Sequence, residues 1–181
     1  MCHKLLRSSR FFNLLFRLDE DIAEEARRVG CACGGPLHRA SYLRKPRGCP
    51  AGLREDWPIR HSFCCGVDGC GRRSTPPSLR FLDRRVYLTV AVVLLSSMRA
   101  GLASFRVAFL ECNLGVSVRT LQRWRVWWQE VFPESLFWKA MKARFMPPVD
   151  QGELPGSLLE RFTGGHLRKR LLGLLRFLAP L

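Results

Sequence analysis

Four cysteines fall in two glycine-rich turns, Cys31 and Cys33 in C-A-C-G-G, and Cys65 and Cys70 in C-C-G-V-D-G-C-G-R-R. Thiolates are soft ligands, and four of them close a tetrahedral shell around an ion such as Zn2+. Glycine lets the backbone curl so that its N–H groups face the sulfurs. One residue separates the first pair and four the second, whereas the usual zinc ribbon has two inside each pair. Cys64 is an alternative to Cys65, but it follows Phe63 at the end of an apolar stretch, whereas Cys65 begins the glycine turn. Cys65 is therefore favoured. His38 and His61 lie between the pairs, and a lone histidine on a strand is more often a surface or nucleic-acid contact than a ligand. Cys2 and Cys112 read as small buried hydrophobes. A closed four-cysteine shell leaves no open position, so the metal is expected to be structural and not catalytic.

The second chemical signal is F-L-E-C-N-L-G-V-S-V-R-T-L-Q-R-W-R, residues 109–125. Leu110, Leu114, Val116, Leu121 and Trp124 fall at the apolar positions of a helix-turn-helix, with Gly115 in the turn and Ser117 as N-cap of the next helix. Glu111 departs from the pattern, which has a small residue there. On a helical wheel Val118, Leu121, Trp124, Trp128, Val131 and Phe132 share one face, and Arg119, Gln122, Arg123 and Val126 the other. The second face suits a major groove: Arg119 and Arg123 match guanine or phosphate, Gln122 matches adenine, and Thr120 can hold a phosphate near the helix start. Trp127 falls between the faces.

These groups need elements to position them. Phe11, Leu14, Leu15, Leu18, Ile22 and Ala26 make the apolar stripe of a helix over 11–29, with Asp19, Glu20, Glu24 and Glu25 off it. Residues 30–75 are rich in Gly, Pro, Cys and Arg and bury little, so a metal is the natural staple. Within them, 37–43 and 59–63 read as the two strands of a zinc ribbon. Pro76 and Pro77 break the chain, and helices are expected over 86–98, 104–111 and 118–132. A linker follows, then a short helix and a Leu-rich basic helix over 167–178. The fold class is mainly α with a small β zinc ribbon: an N-terminal helix over 1–29, the ribbon over 30–82, a trihelical helix-turn-helix domain over 83–146, and a linker with a C-terminal helix over 147–181.

The chain carries 30 Lys and Arg against 15 Asp and Glu, a formal charge of +15, with Arg in excess of Lys. An Arg-heavy surplus points first to nucleic acid and second to an anionic surface. Lys45 and Arg47 in L-R-K-P-R-G, and Arg72 and Arg73 in G-R-R-S-T-P-P, flank the cysteine turns and suit phosphate. The basic helix at the end is expected to pack on the chain or on a partner, either a transposase or a second copy, and not on a membrane. The start of the chain lacks an apolar leader, and the longest apolar run, 86–95, is too short to span a bilayer. A cytoplasmic location is expected, where cysteines serve metals more often than disulfides.

On C-A-C-G-G-P-L-H, L-R-K-P-R-G, F-C-C-G-V-D-G-C-G-R-R-S-T-P-P and L-G-V-S-V-R-T-L-Q-R-W, the chain resembles transposon-associated proteins. These place a zinc ribbon ahead of a helix-turn-helix, like the N-terminal DNA-binding part of bacterial insertion-sequence transposases. The resemblance covers residues 11–150. It implies an accessory or regulatory protein binding double-stranded DNA at element ends or a promoter, with Cys31, Cys33, Cys65 and Cys70 as ligands and Arg119, Gln122 and Arg123 as readers. A full transposase of this kind continues into a domain with three metal-binding carboxylates, and about 35 residues remain after Met146. Asp150, Glu153 and Glu160 fall in a linker and a short helix, so no enzymatic activity is expected. The other readings are an RNA- or ribosome-associated basic zinc ribbon and a protein-interaction module.

Overall fold

The computed structural model describes residues 2–45, 49, 52–82, 88–96 and 116–181. A short helix α1 (Cys2–Leu6) leads into α2 (Ser9–Val29). The Ser8 hydroxyl accepts the Phe11 N–H at 3.3 Å, satisfying one of the donors that a helix start leaves open. Gly30 ends α2 at φ 82°, a left-handed conformation that suits glycine, and its N–H returns to Ala26 O at 3.3 Å. Arg27 and Arg28 complement the dipole in the last turn and pair with Glu24 and Glu25.

The buried face of α2 differs from the expected stripe. Phe11, Phe12, Leu15, Phe16, Asp19 and Ala23 are buried, while Leu14, Leu18, Ile22 and Ala26 are only half-buried. Asp19, expected on the polar side, turns inward to meet Arg80, a partner 61 residues away that periodicity along one helix cannot reveal.

Beyond Gly30 the chain forms an antiparallel hairpin in two steps. β1 (Leu37–Arg39) pairs with β4 (Phe63–Cys65), and β2 (Tyr42–Leu43) with β3 (Ile59–Arg60). The Ala40 N–H reaches Ser62 O at 2.8 Å between the two steps. The strands expected over 37–43 and 59–63 are thus paired with each other, and the second runs on to Cys65. A further strand, β5 (Arg73–Ser74), adds to β4 and gives the order β1-β4-β5.

Helix α3 (Thr89–Ser96) falls within the helix expected over 86–98 and is buried at every position, as an all-round apolar helix must be. The helix expected over 104–111, with Leu110 and Glu111, and the turn after it, with Cys112, Leu114 and Gly115, lie outside the described residues. Helix α4 (Val118–Val126) packs against α3 and continues into a π-helical stretch, Trp127–Val131, where the Phe132 N–H bonds Trp127 O at 2.8 Å. The wider turn carries Trp128 and Phe132 onto the core but leaves Val131, expected on the same apolar face, 54% exposed. Trp127 is half-buried, its ring 4.8 Å from that of Trp128.

Three more α-helices follow: α5 (Leu136–Met141), α6 (Gly156–Glu160) and α7 (Leu167–Leu178). The basic helix α7 lies on the chain itself, with Leu171, Leu174, Leu175 and Leu178 buried, and Ala179 O accepts the Ser78 N–H at 3.3 Å. One core takes residues from α1, α2, 79–82, α3, α4, α6 and α7, so the N-terminal helix, the helices α3 and α4 and the tail share an interior. A second, small cluster of Ala23, Cys31, Leu37, Phe63 and Cys65 lies at the cysteine end. No helix of the described residues is long and apolar enough to cross a membrane.

Candidate metal centre and basic helix face

The two cysteine turns meet because β1 and β4 bring their ends together, with Leu37 opposite Cys65. In the first turn the Gly34 N–H bonds Cys31 O at 2.8 Å and the Cys31 N–H bonds Gly35 O at 3.0 Å. In the second, the Cys70 N–H bonds Val67 O at 3.1 Å, and Gly69 holds φ 80°. The Gly66 N–H ties the turns by reaching Pro36 O at 3.0 Å. The hairpin thus fixes both turns before any ion is considered.

The sulfurs of Cys31, Cys33, Cys65 and Cys70 all lie within 4.8 Å of one another and could hold a metal ion. Cys31 Sγ is 3.9 Å from Cys70 Sγ, and Cys33 Sγ is 3.5 Å from Cys65 Sγ. Sulfurs at ~2.3 Å from a tetrahedral centre stand ~3.8 Å apart, so the donor set fits such an ion. These separations are far beyond the ~2.05 Å of a disulfide. Gly35 lies against the cluster so closely that a Cβ there would meet Val67 Cγ2 at 2.4 Å and Cys65 Sγ at 3.0 Å. The Val67 N–H hydrogen-bonds Cys65 and favours its thiolate, but burial and the neighbouring thiols outweigh it and push the Cys65 thiol up to about 12.

Cys64 is outside the cluster. Strand alternation turns it to the opposite face of β4, where its thiol donates to Gly71 O at 3.3 Å, so Cys65 and not Cys64 joins the other three sulfurs. His38 is exposed beside Gly66, and His61 is half-buried with its ring 6.1 Å from that of Phe16; neither joins the cluster. Cys49 is half-buried, and burial pushes its thiol up to about 11.

On α4 the Ser117 hydroxyl accepts the Thr120 N–H at 3.3 Å and starts the helix, as its sequence position implies. Arg119, Gln122, Arg123 and Val126 are exposed, whereas Val118 is half-buried and Leu121 and Trp124 are buried. Thr120 differs from its expected place at a phosphate: it is 4% exposed, and its hydroxyl meets Ser117 Oγ at 3.1 Å and receives Arg123 Nη2 at 3.3 Å. It is the first inward position of the helix, and its hydroxyl serves the cap. Lys45 is exposed just past β2, and Arg72 and Arg73 are exposed beside the second cysteine turn, with Arg72 O accepting the Cys65 N–H at 3.0 Å. Arg47 lies outside the described residues.

Sequence reading missed a buried ionic hub. Arg80 bonds Asp19 at 2.8 Å and Ile59 O at 2.9 Å, donates also to Trp57 O, and stacks its guanidinium 4.7 Å from the Phe16 ring centroid. Asp19 further accepts the Leu79 N–H at 2.7 Å and the Ser78 hydroxyl. An isolated Arg in a serine- and proline-rich loop gives no sign of this.

Comparison of the chain with protein-family models, curated proteins and solved structures returns no match.

Proposed function

We propose that the chain is a zinc-stabilised DNA-binding protein, an accessory or regulatory component of a mobile element with no catalysis of its own. The observation that carries the metal half is the convergence of four sulfurs within 4.8 Å. Zn2+ is the ion this all-thiolate, tetrahedral set suits best, held as thiolates by Cys31, Cys33, Cys65 and Cys70. It would supply folding free energy to a hairpin whose own cluster, among the described residues, comprises five buried ones. Every position of the shell is then taken, which fits a structural role and not hydrolysis.

The DNA half rests on α4. Ser117 caps it, its inner face is fixed by Leu121 and Trp124, and Arg119, Gln122 and Arg123 project outward together. A rigid helix with two guanidiniums and one amide on its free face suits the edges of guanine and adenine in a major groove. Asp150 serves its own turn, accepting the Gly152 N–H at 2.9 Å, in keeping with a linker and not a catalytic carboxylate.

The test joins both halves. Purified protein should carry one zinc per chain, lost in Cys33→Ser and Cys70→Ser but retained in Cys64→Ser. It should bind duplex DNA more tightly than structured RNA at matched salt, and Arg119→Ala with Arg123→Ala should weaken that binding. Zinc retained in both ligand variants sinks the first half. Duplex affinity unchanged by the double substitution sinks the second, and a preference for RNA would move the protein to the ribosome-associated class.

A further inference from the structure

We infer that a basic cleft between α2 and α7 is a second phosphate-binding site, which takes backbone phosphates of a nucleic acid. The inference rests on the proposed nucleic-acid partner but uses none of the residues assigned to it above.

The cleft, about 340 Å³, is lined by Arg10, Asn13, Leu14 and Arg17 of α2 and Arg168 of α7. Positions 10, 13, 14 and 17 follow the spacing of one helix face, and seven residues of rise place Arg10 and Arg17 about 10 Å apart along it. That distance is about three of the 3.4 Å axial steps of a nucleic-acid strand. Arg168 closes the site from the other helix, its guanidinium 6.0 Å from the Phe11 ring centroid.

Three arginines line this space and, among the described residues, no carboxylate does. The ion pairs among the described residues engage Arg27, Arg28, Arg39, Arg54, Arg80 and Lys139, and none of the cleft arginines. The acids of α2 are segregated toward its later half, where Glu20, Asp21 and Glu24 face Arg39 and His61 in a different pocket. Gathering like charges in a chain of net charge +15 raises its energy unless an anion bridges them. A phosphodiester suits the gap, since each guanidinium can donate two parallel N–H groups to its oxygens.

Arg10, Arg17 and Arg168 are all exposed, so neutral replacements should leave the core intact. The test compares wild type, the triple variant R10Q/R17Q/R168Q and the charge-keeping R10K/R17K/R168K. Each is titrated with duplex DNA and an RNA hairpin over a range of salt, with metal content and circular dichroism as controls of fold. The Gln variant should flatten the slope of log K against log salt by about 2 to 3 and lose affinity evenly across sequences, and the Lys variant should restore the slope. Arg119→Ala with Arg123→Ala should instead relax the preference among sequences. A wild-type slope that the Gln variant leaves unchanged overturns the cleft and spares the functional reading. Failure of wild type to bind either nucleic acid overturns both.

Discussion

Arg80 Nε donates to Asp19 Oδ2 at 2.8 Å with the two side chains 0% and 1% exposed, so an ion pair lies wholly inside the fold and joins α2 to the segment after the hairpin. Burial lowers the Arg80 pKa, and Asp19 counters it by charge and hydrogen bond. The carbonyls of Trp57 and Ile59 take two more of its N–H groups, which ties the hairpin to the same point.

Removing one partner strands the other. Asp19→Ala should lower unfolding free energy by about 3–5 kcal/mol, because a buried guanidinium loses its counter-charge. Asp19→Leu with Arg80→Met should recover much of that loss, since an apolar pair of similar size leaves no unpaired ion. Urea titration of the three proteins is the measurement. A double variant no more stable than Asp19→Ala would mean that Arg80 matters chiefly through its carbonyl and ring contacts.

Gly35 and Gly52 separate metal-site packing from simple backbone strain. A Cβ at Gly35 would press on Val67 Cγ2 at 2.4 Å and on Cys65 Sγ at 3.0 Å, whereas at Gly52, with φ 76°, nothing lies within 4 Å. If the cluster holds a metal as proposed, Gly35→Ala should therefore displace a sulfur and release it at lower chelator concentration. Gly52→Ala should cost about 1–2 kcal/mol of left-handed strain and leave metal affinity unchanged. Chelator competition followed with a metal-sensitive dye distinguishes them, and equal affinities in the two variants would contradict the tight fit at Gly35.

How far the fold could be read from sequence depended on the range of each interaction. The cysteine set was legible because glycines beside Cys31, Cys33, Cys65 and Cys70 mark turns whatever lies elsewhere in the chain, and Cys64 was set aside by its place on a strand. The Ser117 cap and the inward Leu121 and Trp124 were legible for the same local reason. Val131 was misplaced by a uniform helical wheel, which does not foresee the π-helical stretch that swings it outward, and Thr120 was read from its place near the helix start as a hydroxyl for phosphate, although that hydroxyl turns inward to the Ser117 cap. Asp19 was misread because its environment is made by Arg80, and no pattern within α2 carries that information. The basic cleft was missed for the matching reason: Arg10 and Arg17 gain meaning only once α7 brings Arg168 beside them.

His61 gives the fold an acid limit. Burial, then the charge of Arg80, lowers its pKa below the ordinary value near 6.5, and its Nε2 is enclosed without a hydrogen-bond partner. As pH falls through about 6.5 the unfolded chain takes up a proton at this position and the folded chain does not, so stability declines with pH until the folded-state pKa is reached. His61→Phe should remove that contribution. The difference between the wild-type and variant unfolding free energies, measured from pH 8 to pH 5, should be constant above about 7 and change steadily below it. A difference that stays flat throughout would place the acid sensitivity elsewhere.

Ser117 and Arg119 stand two residues apart at the start of α4 and are assigned opposite kinds of role. The Ser117 hydroxyl accepts the Thr120 N–H at 3.3 Å and meets the Thr120 hydroxyl at 3.1 Å, so it stabilises the helix start. Ser117→Ala should cost about 1 kcal/mol of stability, and Ser117→Asp, another good cap, should cost less. Arg119 is exposed, so Arg119→Ala should leave stability within about 0.5 kcal/mol. If α4 reads DNA, the same substitution should weaken binding to the preferred duplex by about 1–3 kcal/mol and narrow its margin over unrelated sequences. Unfolding and duplex titration on the same preparations test both roles, because a helix that serves only as core would show the first effect and not the second.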